Sequence, residues 1–322
     1  MQDRNQGESQ RGGTGARQVA AAVLMVRPRH FGFNAQTAVT NRFQSPAAAS
    51  DVPQRALREF DAFAAALLGE GVTVCVAEDS DSPRKPDAVF PNNWVSFHRD
   101  GTVVLYPMHA ENRRIERRQE VIDAVVRDTG FRVGRVVDLT HHEKAGRFLE
   151  GTGSLVLDHV ARVAYACRSP RTHDAVAAEW AGTLGYDLEM FDAADAGGTP
   201  IYHTNVLMHV GTRIAAIALD AISETDRARV AARIENSGRE IVAIDHAEMS
   251  AFAGNMLEVG SWDEYLGDYT ILVMSETARH ALSTEKYKHL YASVDAVLAV
   301  PVETIERHGG GSVRCMLAEV FL

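Results

Sequence analysis

Cys315, His203 and Glu150 are the residues of this chain best suited to covalent chemistry: a thiol that can attack, an imidazole that can carry a proton, and a carboxylate that can orient the imidazole. They lie far apart in sequence, so only the fold can bring them together. Cys315 follows the run Gly309-Gly310-Gly311-Ser312-Val313-Arg314; glycines let backbone approach a ligand closely, and an adjacent arginine favours a thiolate. On its own Cys315 reads equally well as a catalytic or a structural thiol. Cys75 in Val72-Thr73-Val74-Cys75-Val76 and Cys167 in Val163-Ala164-Tyr165-Ala166-Cys167 read as packed strand cysteines. His203 stands between Tyr202 and Thr204-Asn205, and a lone histidine is more often structural than functional. Glu150, between Phe148-Leu149 and Gly151-Thr152-Gly153, is oddly placed for a solvated carboxylate. His141-His142-Glu143 invites a metal reading, but no second ligand cluster has matching spacing, so a solvated loop is expected there. The Arg113-Arg114-Glu116-Arg117-Arg118 run reads as a solvated helix face, or more sharply as the source of one arginine that anchors a substrate carboxylate.

What must position these residues is a repeated order of elements. Val95 to His98, a turn at Arg99-Asp100-Gly101 and Thr102 to Tyr106 predict a hairpin. Ala110 to Thr129 follows with apolar residues at helical spacing and Gly130 as its stop, and then the strand Val133 to Leu139. A second hairpin is predicted at Ser154 to Leu157 and Val163 to Cys167, with the helix Arg171 to Leu184 behind it. The third module is Asn205 to Val210, Arg213 to Leu219, the helix Ser223 to Ser237 and the strand Glu240 to Ile244. The fourth is Asn255 to Val259, Tyr269 to Met274, a helix from about Glu276 and the strand Ala296 to Val300. Ser312 to Phe321 opens a fifth, completed by the N-terminal strand Ala20 to Val26, helix Asp51 to Leu68 and strand Val72 to Val76. A 50–60-residue period of strand–strand–helix–strand suits a propeller-like repeat, and an ordinary mixed α/β sheet can mimic it. If the modules surround an axis, the segments preceding their first strands converge. Asn93, Glu150, His203, Asn255 and Cys315 would then share one pocket.

Composition bounds the function. The 322 residues are 46% hydrophobic and 24% charged, as in a globular protein with a sizeable core rather than a disordered or fibrous one. A net charge of −10 without a dominant basic run argues against a nucleic-acid partner. No stretch approaches the ~20 apolar residues that span a bilayer, so no membrane association is expected. Three sparse cysteines suit a reducing cytoplasm. Residues 1–18, with no apolar run, are expected to be a disordered tail ahead of a single catalytic domain over 19–322.

The segments Leu149-Glu150-Gly151-Thr152-Gly153-Ser154, His203-Thr204-Asn205 and Gly309-Gly310-Gly311-Ser312-Val313-Arg314-Cys315, in this order, resemble the guanidine-modifying (pentein) superfamily. Met25-Val26-Arg27-Pro28, Phe31-Gly32-Phe33-Asn34 and Phe90-Pro91-Asn92-Asn93-Trp94-Val95 look more narrowly like its citrulline-utilisation hydrolase branch. The resemblance covers nearly the whole chain after residue ~20. It implies an α/β fold, a five-bladed propeller of ββαβ modules whose last module is completed by the N-terminus.

It also implies roles: Cys315 the nucleophile, His203 the general acid/base, Glu150 the carboxylate that orients the imidazole. Asn93 and Asn205 stand where arginine deiminases place guanidinium-binding aspartates. An asparagine offers a carbonyl and an NH2, so it can pair with a neutral ureido group. A carboxylate facing the ureido oxygen would cost roughly 1–3 kcal/mol. The implied reaction is hydrolysis of the ureido group of citrulline, or a close analogue, to ornithine, CO2 and ammonia through a covalent cysteine intermediate, with neither metal nor organic cofactor. Asn34 and Arg114 are candidates for holding the substrate's α-amino and α-carboxylate ends. Arginine deiminase or dihydrolase activity, amidino transfer and a non-enzymatic binding role on the same fold are the alternatives. The expected partner is a small amino acid; self-association into a homo-oligomer is left open.

Overall fold

In a computed structural model of the chain, the described residues are 17–46, 51–263 and 267–322. Fifteen strands among them fall into five three-stranded units with one pairing scheme, an antiparallel pair whose second strand takes a parallel partner. In the first, β1 (Ala22–Arg27) pairs with β2 (Thr73–Glu78) and with β15 (Ala318–Val320), so both ends of the chain build one unit. The others are β3 (Val95–Phe97), β4 (Thr102–Leu105) and β5 (Arg135–Asp138); β6 (Val156–Asp158), β7 (Val163–Cys167) and β8 (Asp187–Phe191); β9 (Met208–Val210), β10 (Ile214–Ile217) and β11 (Glu240–Ala243); and β12 (Leu257–Asp263), β13 (Gly267–Ser275) and β14 (Ala296–Val300). A single parallel pairing of Val320 with Phe97 merges the first two units into a six-stranded sheet.

The parallel partner is reached by a helix in each case: Val52–Gly69, Gln119–Thr129, Asp174–Leu184, Glu224–Asn236, and the pair Glu276–Ala281 and Thr284–Ala292. Parallel strands need such a crossover. Helix Gln119–Thr129 buries Val121, Ile122, Ala124 and Val125 on one face and ends at Gly130, whose φ of 75° serves as the left-handed stop. The middle strands β7 and β10 are buried along their whole length, as strands covered on both faces are.

Several boundaries differ from the sequence reading. The region Ala110 to Thr129 is not one helix: a 3₁₀ turn, Glu111–Glu116, breaks at Arg117 before the α-helix. Glu150 and His203 each precede a one-turn helix, Gly151–Ser154 and Thr204–Leu207, so β6 and β9 begin later than expected. Cys315 lies in a turn ahead of β15, not in a strand from Ser312. Of the expected tail, residues 1–16 lie outside the described residues, while Gln18 is buried. Its amide donates to the Leu157 and Val210 carbonyls, each at 2.9 Å, and accepts from the His159 N–H at 2.9 Å. These bonds hold Gln18, a residue of the expected tail, between two units.

Candidate active site

Residues ahead of the first strands of three units, Asn93, His203 and Cys315, line one cleft with Asp87, Arg113, Arg171, Tyr202, Phe90, Gly309–Gly311 and Thr37, Asn41 and Gln44. Glu150 is fully buried behind His203, and its Oε2 accepts from the imidazole Nε2 at 2.8 Å. Arg171 donates to the same oxygen at 3.3 Å, and the His109 N–H to Oε1 at 3.0 Å. Burial alone would raise Glu150, but Arg171 and His203 outweigh it and hold the carboxyl well below its usual range. An ionised Glu150 keeps the His203 proton on Nε2 and leaves Nδ1 with its lone pair. Burial pushes His203 down to about 4 despite the pull of Glu150, so the imidazole is neutral and able to accept a proton.

Cys315 is buried, and burial raises its thiol, opposed by the amides that surround it. Asn255 Nδ2 lies 3.3 Å and Asn205 Nδ2 3.6 Å from Sγ. The Arg314 N–H donates to Asn255 Oδ1 at 3.1 Å and so aims the NH2 end of Asn255 at the sulfur. Two amide donors on Sγ favour negative charge there as it develops. Among the described residues neither of the other two cysteines has an amide donor on its sulfur; Cys167 Sγ has only the Thr204 hydroxyl as a donor, at 3.4 Å. Burial pushes both Cys75 and Cys167 up to about 12, and both sit in strands as expected.

On the opposite wall, Arg113 is 2% exposed and forked onto Glu116 at 2.9 and 2.8 Å, while Nη1 donates to Asn93 Oδ1 at 2.8 Å. A guanidinium only donates, so Asn93 must face it with its carbonyl and keep its NH2 group away from it. That NH2 group lies beside His203: a Cβ on Gly153 would come within 2.6 Å of Asn93 Nδ2 and 2.7 Å of His203 Nδ1. Asp87 is 1% exposed; its Oδ2 accepts from Asn34 Nδ2 at 2.7 Å and from Thr37 at 3.1 Å, and its Oδ1 has no hydrogen-bond partner among the described residues. A buried carboxylate oxygen without a partner suits an added cation.

The structure therefore gathers Cys315, His203, Glu150, Asn93, Asn205 and Asn255, and treats the two remaining candidates differently. Asn34 stands behind Asp87 and orients it, and does not line the cleft. Arg114 does not line it either. Its Nε bonds the Met108 carbonyl at 3.1 Å and lies 3.4 Å from Glu143, and its guanidinium rests over the Phe148 ring. The 3₁₀ turn presents Arg113 inward and turns its neighbour out, which the sequence run did not disclose. Asp87 could have been noticed from its place just ahead of Phe90-Pro91-Asn92-Asn93; Arg171, in a connection between β7 and its helix, carried no signal.

The chain is a member of the guanidine-modifying pentein superfamily, and its fold matches solved structures of that group. Within it, the chain belongs to the eukaryotic N,N dimethylarginine dimethylhydrolase family, whose model matches residues 27–322. No curated protein matches the sequence. Among solved structures, ArgZ, an arginine dihydrolase from the ornithine–ammonia cycle in cyanobacteria, is similar with a TM-score of 0.71 and 19% identity over 93% of this chain. The chain spans only 40% of that protein, but 98% of its separately solved N-terminal domain, which was captured with substrate (TM-score 0.70, 18% identity, 93% of this chain). A dimethylarginine dimethylaminohydrolase variant bearing an S-methyl-L-thiocitrulline adduct is similar at a TM-score of 0.63 and 18% identity, over 94% of this chain and 100% of that one. Among the described residues, no helix is long and apolar enough to cross a membrane.

Proposed function

We propose that this chain is a thiol-dependent C–N hydrolase that acts on the ureido or guanidino end of an arginine-type amino acid. The observation that carries the reading is the convergence of Cys315, with two amide donors on its sulfur, and His203, backed by Glu150, on one cleft. The family and the fold of the similar structures support it. The five like units are read as the blades of a propeller around this cleft, in a single catalytic domain.

With a ureido substrate, His203 Nδ1 takes the Cys315 proton as Sγ attacks the ureido carbon. The imidazolium returns that proton to the departing nitrogen, and ammonia leaves a thiocarbamate on the cysteine. His203 then activates water, which releases Cys315 and a carbamic acid that loses CO2 to give the amine, ornithine from citrulline. The orientation of Asn93 favours this substrate, because its NH2 group, aligned by Arg113, offers a donor to a ureido oxygen.

A second reading, arginine as the entering substrate, rests on Asp87. Its unpartnered Oδ1 suits a cationic group, either the guanidinium or the α-ammonium of the substrate. An arginine that lost one nitrogen as ammonia would become the ureido substrate of the same cysteine.

Purified protein should be given citrulline, arginine and NG,NG-dimethylarginine separately, with ornithine, citrulline, dimethylamine and ammonia quantified and Cys315→Ala as the control. Ornithine from citrulline, absent in the variant, is the expected result. Citrulline accumulating from arginine or from the dimethylated substrate, without ornithine, would overturn the ureido preference and keep the hydrolase class. Turnover that survives in Cys315→Ala would overturn the mechanism.

A further inference from the structure

A second cluster of chemistry-bearing side chains lies away from the cleft. His141 and His142 are successive residues of the 3₁₀ turn Thr140–Ala145 that follows β5. Glu143, next in sequence, turns away from them: its Oε1 accepts from the Met108 N–H at 2.8 Å and from Arg117 at 2.7 Å. The carboxylate that faces the imidazoles comes from another unit. Glu179, on helix Asp174–Leu184, places Oε2 2.8 Å from His142 Nε2. His141, His142 and Glu179 each offer one ligand atom, and the three atoms all lie within 4.8 Å of one another.

We propose that His141, His142 and Glu179 bind a divalent transition-metal ion, with zinc the natural occupant, and that the ion staples the turn after β5 to the helix of the next unit. Bonds of ~2.0–2.1 Å in a tetrahedral site set neighbouring ligand atoms about 3.3 Å apart. The separations here reach that geometry by small side-chain rotations, since His141 and Glu179 are exposed. The two rings already stand side by side, centroids 4.2 Å apart and inclined by 34°. His141 Nδ1 lies 3.2 Å from the Asp138 carbonyl, a donation that fixes the tautomer and reserves Nε2 for a ligand. Two imidazoles and one carboxylate suit zinc or its first-row neighbours rather than calcium or magnesium, which prefer all-oxygen shells. Exposure of the turn leaves the fourth position to water.

The test titrates Zn2+ alone into the full chain carrying Cys315→Ala, which removes the cleft thiol as a competing ligand. One ion per chain is expected, with a rise in the thermal unfolding midpoint at saturation. Glu179→Ala and His141→Ala, both at exposed positions, should each weaken binding by about tenfold or more and abolish the thermal shift. Co2+ in place of Zn2+ should give the visible bands of a tetrahedral site in the parent and lose them in either variant. Zinc uptake that is equal in the parent and both variants, or no stoichiometric uptake in the parent, would overturn the proposal.

Discussion

Gly153 decides how closely the two halves of the reaction centre can approach. A methyl group there would meet Asn93 Nδ2 at 2.6 Å and His203 Nδ1 at 2.7 Å, the two atoms the proposed chemistry uses. Gly153→Ala should therefore lower kcat by about 10²-fold, the penalty typical of a displacement near 1 Å at reacting groups. Far-UV circular dichroism should be little changed; a variant with parental kcat would show that the cleft tolerates the methyl and that this packing is not functional. At this scale much was legible beforehand. Cys315 and Glu150 stood out by their neighbourhoods, a glycine run and an apolar pair beside a charge, whereas His203 took its meaning only from the repeat and the resemblance. Arg171 and Asp87 had no such signal, since their meaning comes from partners across the fold, Glu150 and Asn34. The choice between Arg113 and Arg114 depended on the phase of a 3₁₀ turn where an α-helix was expected.

The one-turn helices ahead of β6 and β9 are the joints of the molecule. Gly151 has a φ of +47°, and a Cβ on it would fall 2.1 Å from the Asn92 carbonyl, in the neighbouring unit's 3₁₀ turn Pro91–Asn93. Gly151→Ala adds a left-handed backbone penalty to a clash with rigid main chain, so a loss of about 2–4 kcal/mol is expected. Urea unfolding measures it; a loss below about 1 kcal/mol would mean that the two turns part without cost. These turns were hidden in the sequence because four residues are too few to establish a period, and they were absorbed into the strands that follow. β8 was missed for another reason: Asp187-Leu188-Glu189-Met190-Phe191 alternates polar and apolar, yet it lies directly behind a helix and a glycine and was not claimed as the module's closing strand. The longer elements, with their apolar faces and glycine stops, were recovered within a few residues, as Ala296–Val300 was at both ends.

Across the whole molecule, three histidines share one fate, the buried His98 and His203 and the nearly buried His159. Burial pushes His98 and His203 down to about 4 and His159 well below its ordinary value. In the unfolded chain all three titrate near 6.5. Below that pH the unfolded state takes up protons that the folded state refuses, so stability is full above about 6.5 and falls as the pH drops toward 4. The urea midpoint should decrease between pH 7 and pH 5, above the range where ordinary carboxylates titrate, and His98→Gln should flatten part of the slope. A slope left unchanged by His98→Gln would contradict the burial of that ring. The repeat itself was visible from element order and period. The N-terminal completion of the last unit was visible as well, because no other partner was left for its opening strand.

Five separate stretches of chain deliver Asn93, Glu150, His203, Asn255 and Cys315, one from each unit. Such a site works as a coincidence detector: it reports whether every seam between units is shut at once. On the proposed mechanism, a slip at any one seam should silence the reaction while most strands and helices persist. As urea is added, turnover should vanish before ellipticity does. Over the same range Cys315, in a turn, should become open to a thiol reagent ahead of Cys75 and Cys167, which are held within strands.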